Sequence, residues 1–213
     1  MNNSELFDKQ GYLFVPNLIT DIEKYFNDPP RDENGKRITG QMSYIRKDKV
    51  NFVPEEQQVN GALARSNVPQ YKNLYYLIKK EVEKRLSMDL LPTYFYDRFY
   101  YVGQELTIHT DRPACEVSVT LQVSSNSNTP WPIWFKRPDG SDVSVEMKNG
   151  DGCIYKGCDI PHWRTSLASK YPKIRNLWRT IRGKEDDTYH HQIFFHYVNS
   201  QGPFVHYAND MIK

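Results

Sequence analysis

The stretch that decides the fold is YYVGQELTIHTDRPACE, residues 100–116, in which a His and an Asp follow a short alternating segment. Side chains two residues apart on a β-strand share a face, so His109 and Asp111 point one way and Thr110 points the other. One imidazole and one carboxylate therefore converge on a point. An iron(II) ion that keeps open coordination positions uses two His and one carboxylate on one face. Such a site needs a second His from another strand.

A second His follows at position 162, in the segment GDGCIYKGCDIPHWR, residues 150–164. The Gly-Asp-Gly turn begins a short apolar strand, and a further turn leads to His162. The intervening sequence is long enough for a hairpin or two, which would return His162 beside the first pair. The same three side chains also suit a zinc site in which water is the fourth ligand.

These segments resemble the iron(II) and 2-oxoglutarate-dependent dioxygenases, and within them the prolyl 4-hydroxylase-like branch. The resemblance rests on a YxxG step before H-x-D, the strand 115–123, and the segments GDGCIYKG, PHWR and QIFFHYV, chiefly in the C-terminal half. It implies that His109, Asp111 and His162 hold Fe(II). It also implies that 2-oxoglutarate and O₂ are consumed, giving succinate and CO₂, while a substrate C–H bond is hydroxylated.

The cation that anchors 2-oxoglutarate departs from the family pattern. The family places an Arg or Lys about ten residues after the second His, on the next strand, where a guanidinium can donate two parallel hydrogen bonds. Here that count ends near Lys173, inside a basic insertion. The nearest cation with strand geometry is Arg164, two residues past His162 and on the same face if PHWR is extended. Arg175 and Arg179 in the insertion are the alternatives.

Two tyrosines in the YxxG step are further candidates for the cosubstrate site. By resemblance, Tyr100 or Tyr101 adds a hydroxyl to a 2-oxoglutarate carboxylate, and a buried Tyr bonded to the backbone is the competing interpretation. The alternating polar side chains of strand 115–123 face either the lumen or water. Arg112 is expected to pair with Glu116 or with a substrate carboxylate.

The other histidines are expected to have structural or surface positions. His196 lies in an apolar strand, where a His is more often packed and hydrogen-bonded than a metal ligand. His190, His191 and His206 lie nearer segment ends and are interpreted as loop or rim residues.

Length and composition limit the class of protein. A chain of 213 residues suits one domain, residues 1–213, and a net charge of +2 from intermixed charges gives no footprint for nucleic acid. Three Cys without metal spacing favour a reducing, cytoplasmic setting. No window is apolar for long enough to span a membrane and the N-terminus does not resemble a signal peptide, so no membrane partner is expected.

The chain divides into two regions of different pattern. Residues 1–90 are expected to hold supporting helices and a polar flap over 27–40. Within them the pattern predicts a strand that ends before Pro16, a helix through Phe26 and an irregular stretch over 51–65. The three- and four-residue spacing of apolar residues after Pro69 predicts an amphipathic helix. Residues 91–207 hold many short strands between turn signals, which is typical of a jelly roll. The predicted class is α+β, mainly β, a double-stranded β-helix. An insertion at 166–189 is interpreted as a lid or partner-binding flap, or else as a solvated excursion.

Two other functions stay open beside the oxygenase. A non-catalytic jelly-roll binding module would use Trp131 and Trp134 to stack on a sugar or peptide. A zinc hydrolase would use the same three ligands with Glu105 or Glu116 as general base. For the oxygenase, the expected substrate is a small molecule or peptide. The resemblance favours peptidyl proline, with a free amino acid, a small metabolite or a modified nucleotide also open.

Overall fold

The computed structural model describes residues 1–46 and 49–211. Its helices are α1 (Asn3–Gln10), α2 (Lys72–Leu86) and α3 (Lys173–Ile181). The strands are β1 (Tyr12–Val15), β2 (Gly40–Arg46), β3 (Lys49–Val53), β4 (Leu63–Ser66), β5 (Leu90–Tyr101), β6 (Leu106–His109), β7 (Val117–Ser125), β8 (Ile133–Lys136), β9 (Asp142–Val145), β10 (Gly152–Tyr155), β11 (His162–Arg164) and β12 (Tyr189–Asn199). Short 3₁₀ turns lie at Ile22–Tyr25, Pro69–Tyr71, Pro113–Cys115 and Val205–Tyr207.

The strands form a large sheet and a small one. The large sheet has the order β1-β10-β7-β12-β5-β4-β2-β3, and the small sheet has the order β6-β11-β8-β9. Neighbouring strands run antiparallel except for the parallel pair β2 and β4. This arrangement is the predicted jelly roll. Its large sheet is extended at its two edges by strands β1 to β4 from the N-terminal half.

The main core lies on the outer face of the large sheet. There α2 buries the residues of its apolar stripe against apolar side chains of β5, β7 and β12. The side chains of those strands alternate, so the opposite face turns into the lumen between the sheets. On β7 this lumen face carries Ser118, Thr120 and Gln122, all buried. The polar face of strand 115–123 therefore lines the lumen rather than facing water.

The sequence predictions for the N-terminal half are confirmed in part. The strand that ends before Pro16 and the amphipathic helix α2 lie where the patterns placed them. A helix was expected through Phe26, but the segment is only the 3₁₀ turn Ile22–Tyr25. The stretch 51–65 was expected to be irregular, yet it holds part of β3 and the start of β4. No helix in the described part of the chain is long and apolar enough to cross a bilayer.

Candidate functional site

The three residues of the predicted metal site lie together at one end of the small sheet. Strand β11 pairs with β6 so that His162 lies opposite His109, and Asp111 follows two residues after the end of β6. The Nε2 atoms of His109 and His162 are 3.6 and 3.7 Å from Asp111 Oδ1. Neighbouring ligands at about 2.1 Å from one ion lie roughly 3 Å apart. A small contraction would therefore bring these atoms onto one metal ion.

Backbone carbonyls orient both imidazoles. His109 Nδ1 donates to the Thr107 carbonyl at 2.8 Å, and His162 Nδ1 donates to the Ile160 carbonyl at 3.0 Å. With the proton on Nδ1, each Nε2 presents a lone pair toward Asp111. This second layer of hydrogen bonds is typical of histidines that bind metals.

The charges of the three side chains are coupled. Burial opposes charge on Asp111, but the adjacent imidazoles of His109 and His162 hold the pKa of its carboxyl below the ordinary value. Burial lowers the pKa of His162. At His109 burial acts in the same direction, but the Asp111 carboxylate and the Thr107 carbonyl together outweigh it and raise the pKa. A carboxylate and a buried neutral imidazole are the protonation states that bind a divalent ion.

A second group of possible ligands, Asp111, Cys115 and His196, lies behind the first. The Cys115 thiol is 3.2 Å from the Tyr94 hydroxyl, and burial raises its pKa well above the ordinary value, which disfavours the thiolate. His196 packs on the Tyr94 and Tyr96 rings, and its Nδ1 lies 2.9 Å from Ser118 Oγ. The prediction that His196 is packed and hydrogen-bonded is confirmed.

A cavity of about 230 Å³ opens above Asp111 and His109. Its wall is polar and aromatic, with contributions from Gln41, Gln57, Gln58, Tyr94, Tyr96 and Arg112. The amide of Gln58 lies 2.7 Å from His109 Nε2 and thus contacts the lone pair that a metal ion would need. Its carbonyl oxygen accepts a hydrogen bond of 2.7 Å from Arg98.

Arg98 holds the loop that carries Gln58. The guanidinium is fully buried, pairs with Glu56 at 2.9 Å and donates to the Tyr100 hydroxyl at 3.0 Å. Sequence reasoning missed Arg98 and Glu56 because Glu56 lies in a stretch interpreted as irregular. The available signal was the charged pair Asp97-Arg98 inside a strand of aromatic residues that was expected to be buried.

Arg164 is the second arginine in the lumen, and no acidic side chain in the described part of the chain pairs with it. It lies on the extended strand β11, it is 1% exposed, and its guanidinium lies over the Trp131 ring, 4.8 Å from the centroid. Nη1 donates to the Trp131 carbonyl, whereas Nε and Nη2 have no hydrogen-bond partner among the described residues. Burial lowers the pKa of Arg164 to about 10. Two unsatisfied buried donors suit a carboxylate.

Tyr100 and Tyr101 lie on opposite faces of β5. Tyr100 is buried in the lumen, where it approaches Arg98 and Trp131. Tyr101 lies on the other face, with Arg37 over its ring at 4.5 Å. Sequence reasoning also missed a third tyrosine, Tyr155. It is buried, and its ring centroid is 4.7 Å from that of His162.

The lumen also contains a chain of polar side chains. Thr120 Oγ1 donates to Gln192 Oε1 at 2.9 Å, and Gln192 Nε2 donates to Gln122 at 3.0 Å and lies 3.3 Å from His190. The interpretation of His190 and His191 as loop or rim residues is wrong, since both are buried in β12. The polar residues at the start of this strand suggested a loop, but both histidines are buried, one on each face of the sheet.

The insertion lies away from this cavity. Arg175 and Arg179 both lie over the ring of Tyr171, and Arg179 pairs with Asp187 at 3.3 Å. Neither arginine lines the cavity above Asp111 and His109. Among the predicted anchors, Arg164 is therefore the one that the fold brings into the lumen with the three metal-site residues.

The candidate general bases of a zinc hydrolase and the tryptophans of a binding module do not line the cavity above Asp111. Glu105 is exposed and Glu116 accepts a hydrogen bond of 2.7 Å from the Asn199 amide, and neither lines the cavity. Arg112 pairs with Asp210 at 2.6 Å rather than with Glu116. Trp131 is 7% exposed, so it does not form an open stacking surface with Trp134.

Comparisons with solved structures identify the fold. A prolyl-4-hydroxylase from Pseudomonas putida superposes over 91% of this chain and 95% of its own, with a TM-score of 0.54 and 12% identity. HygX from Streptomyces hygroscopicus, solved with nickel and 2-oxoglutarate bound, superposes over 91% and 84%, with a TM-score of 0.56 and 11% identity.

The non-heme α-ketoglutarate-dependent epimerase SnoN of nogalamycin biosynthesis superposes over 92% and 81%, with a TM-score of 0.61 and 9% identity. No protein-family model matches the sequence, and no curated protein matches it. At these identities the likeness is one of fold. The predicted double-stranded β-helix is confirmed as the fold that the 2-oxoglutarate and iron(II) oxygenases share, prolyl 4-hydroxylases included.

Proposed function

We propose that this protein is an iron(II)- and 2-oxoglutarate-dependent dioxygenase that hydroxylates a C–H bond of a small molecule or peptide. The observation that carries the proposal is the convergence of two unlike features in one lumen. One is a pair of imidazoles and a carboxylate aimed at a single point. The other is a buried arginine, two residues along the same strand, with unsatisfied donors.

In this proposal His109, Asp111 and His162 hold the iron. Nδ1 of each imidazole stays bound to a backbone carbonyl, so the rings cannot turn away when the ion binds. Two His and one carboxylate leave the other coordination positions open. The bound iron, with 2-oxoglutarate and O₂, supplies the oxidising chemistry, and the protein supplies geometry and a water-poor lumen.

Arg164 binds the distal carboxylate of 2-oxoglutarate through Nε and Nη2. The carboxylate neutralises a cation that otherwise has no acidic partner among the described residues, and it satisfies both donors. Tyr100 and Tyr155 are close enough to Arg164 to influence its pKa and would line the same site. Tyr155 also packs on His162, so it connects the cosubstrate site with the metal site.

The substrate would enter the cavity above Asp111. Three glutamine amides and the Tyr94 and Tyr96 rings suit a substrate that has hydrogen-bonding groups beside an apolar C–H group. Peptidyl proline fits this description, and so does a polar metabolite. HygX has been solved with hygromycin B bound and a Trichoplax adhaerens prolyl hydroxylase with a peptide fragment, so this fold accepts both kinds of ligand.

The test is anaerobic titration of iron(II) and 2-oxoglutarate into metal-free protein, followed by the weak visible absorption of an iron(II)–oxo acid chelate. We expect the absorption in the wild type and its loss in His109→Ala and Asp111→Asn. His206→Ala is the matched control, because His206 is exposed and does not line the cavity above Asp111. Addition of O₂ should then give succinate.

Two results would contradict the proposal. Absence of the absorption in folded protein that binds iron poorly would favour a binding module. Hydrolytic activity that needs zinc, but neither O₂ nor 2-oxoglutarate, would favour the hydrolase.

A further inference from the structure

Helix α3 has the reverse of the usual orientation for a surface helix. None of its residues is buried, and its four large apolar side chains point outward: Ile174 is 75% exposed, Leu177 61%, Trp178 57% and Ile181 66%. A surface helix normally turns such a stripe toward the core. Here the core receives none of it, which leaves a contiguous apolar surface without a partner among the described residues.

Polar contacts hold the opposite side of α3 to the domain. Arg179 pairs with Asp187, donates to the Glu185 carbonyl at 2.7 Å and lies over the Tyr171 ring at 4.3 Å. Glu185 in turn pairs with Arg31 and Arg37 of the flap at 3.6 and 3.3 Å. The outward direction of the apolar stripe is therefore fixed by specific contacts.

Cations border the apolar stripe on both sides. At 100° per residue, the four apolar side chains occupy an arc of about 100°, with Lys173 beyond one edge and Arg182 beyond the other. Residues 170–184 contain six Lys or Arg and no Asp or Glu. Among the described residues, Lys173, Arg182 and Lys184 have no ion-pair partner. Their charges are available to a partner.

We propose that α3 docks on an anionic lipid surface, lying in the plane of the interface. A narrow apolar stripe that contains a Trp and is bordered by cations is the arrangement with which helices enter the headgroup region. The long basic side chains can reach lipid phosphates while the apolar side chains enter the acyl boundary.

A second copy of this chain is the competing occupant, and charge disfavours it. Two α3 helices packed stripe to stripe would bring Lys173 and Arg182 of each copy close to the same residues of the other. Acidic residues of the insertion would not relieve this repulsion, because Asp187 and Glu185 are paired with the chain's own cations. A flat anionic surface complements both borders of the stripe at once.

This inference revises the expectation that the chain has no membrane partner. That expectation followed from the lack of a segment long enough to span a bilayer, which does not test interfacial binding. The inference is independent of the proposed chemistry, because no residue of the insertion lines the cavity above Asp111.

The test is sedimentation of the full chain with vesicles of phosphatidylcholine containing about one quarter phosphatidylglycerol. We expect binding that weakens with salt and is absent with phosphatidylcholine alone. Leu177→Asp should abolish binding, and the double variant Lys173→Glu, Lys184→Glu should raise the lipid concentration needed for half-binding about tenfold or more.

Matched controls come from α2, which also has an exposed apolar side chain and exposed lysines. Leu77→Asp and the double variant Lys80→Glu, Lys84→Glu should bind within about twofold of the wild type. The proposal is overturned if anionic vesicles leave the protein in the supernatant, or if Leu177→Asp binds them normally. A lipid-free dimer that Leu177→Asp dissociates would overturn it too, and would assign the stripe to a second copy.

Discussion

Replacement of Arg164 by Met tests whether a buried cation serves a ligand or the fold. Met fills much of the same volume and removes the charge together with the two unsatisfied donors. A hydrogen bond to a charged group contributes about 1.5 to 3 kcal/mol, so the two bonds to a carboxylate amount to about 3 to 6 kcal/mol. The dissociation constant for 2-oxoglutarate should therefore rise by roughly 150- to 25,000-fold.

The same substitution should not destabilise the protein without ligand. Arg164 is fully buried with no carboxylate partner among the described residues, and replacing an uncompensated buried charge with an apolar side chain is often neutral or stabilising. The lost bond to the Trp131 carbonyl, about 1.5 kcal/mol, partly offsets this gain. We expect an equal or higher unfolding temperature without cosubstrate, and loss of the increase that 2-oxoglutarate produces in the wild type.

Calorimetric titration of 2-oxoglutarate into the anaerobic metal-loaded protein measures the affinity, and thermal unfolding measures the stability. Arg175→Met and Arg179→Met are the controls, because both arginines lie in the insertion, and they should bind 2-oxoglutarate like the wild type. A structural arginine would give the opposite pattern: a large loss of stability in Arg164→Met with cosubstrate affinity within a few-fold of the wild type. That result would refute the assignment of Arg164 as the anchor.

Two further predictions concern the lumen. Burial and the charge of Arg164 hold the pKa of His190 well below its ordinary value. As the pH falls below about 6.5, only the unfolded chain therefore binds a proton at this residue. The free energy of unfolding should then fall by up to about 1.4 kcal/mol per pH unit. Urea denaturation at several pH values should show a shallower fall in His190→Gln and an unchanged one in His206→Gln; equal slopes in all three would exclude this origin. A Cβ at Gly157 would lie 2.2 Å from the Cys115 carbonyl oxygen and 2.7 Å from Asp111 Oδ2, so Gly157→Ala should displace Asp111 and weaken metal binding. Gly140→Ala, in an open turn, should leave the metal affinity unchanged, and normal affinity in Gly157→Ala would contradict the placement of Asp111.

The two-residue alternation of a strand was enough to predict that the candidate metal ligands and Arg164 converge. His109 and Asp111 needed only the two-residue period, and Arg164 needed only its spacing from His162 on an extended segment. The same period divides β5 into a lumen face and an outer face. It separates Tyr100 from Tyr101, but it does not say which face is the lumen.

Features that depend on contacts between distant segments could not be predicted in this way. Glu56 reaches Arg98 across 42 residues, and Tyr155 reaches His162 only because β10 and β11 belong to different sheets that face each other. The amphipathic pattern of α3 was present in the sequence, but amphipathicity does not say which face turns inward. That direction depends on ion pairs with Asp187 and, through Glu185, with the flap.

The contact between Gln58 and His109 would make the binding of a metal ion compete with a contact inside the protein. The amide and an ion require the same Nε2 lone pair of His109. An ion can therefore bind only when Gln58 moves away and its loop loses the contact with His109. By thermodynamic reciprocity, whatever tightens the loop on the empty site weakens the metal by the same factor, and a bound metal loosens the loop equally. The mobility of the Gln58 loop, and so of the cavity that it lines, would thus change with the occupancy of the metal site.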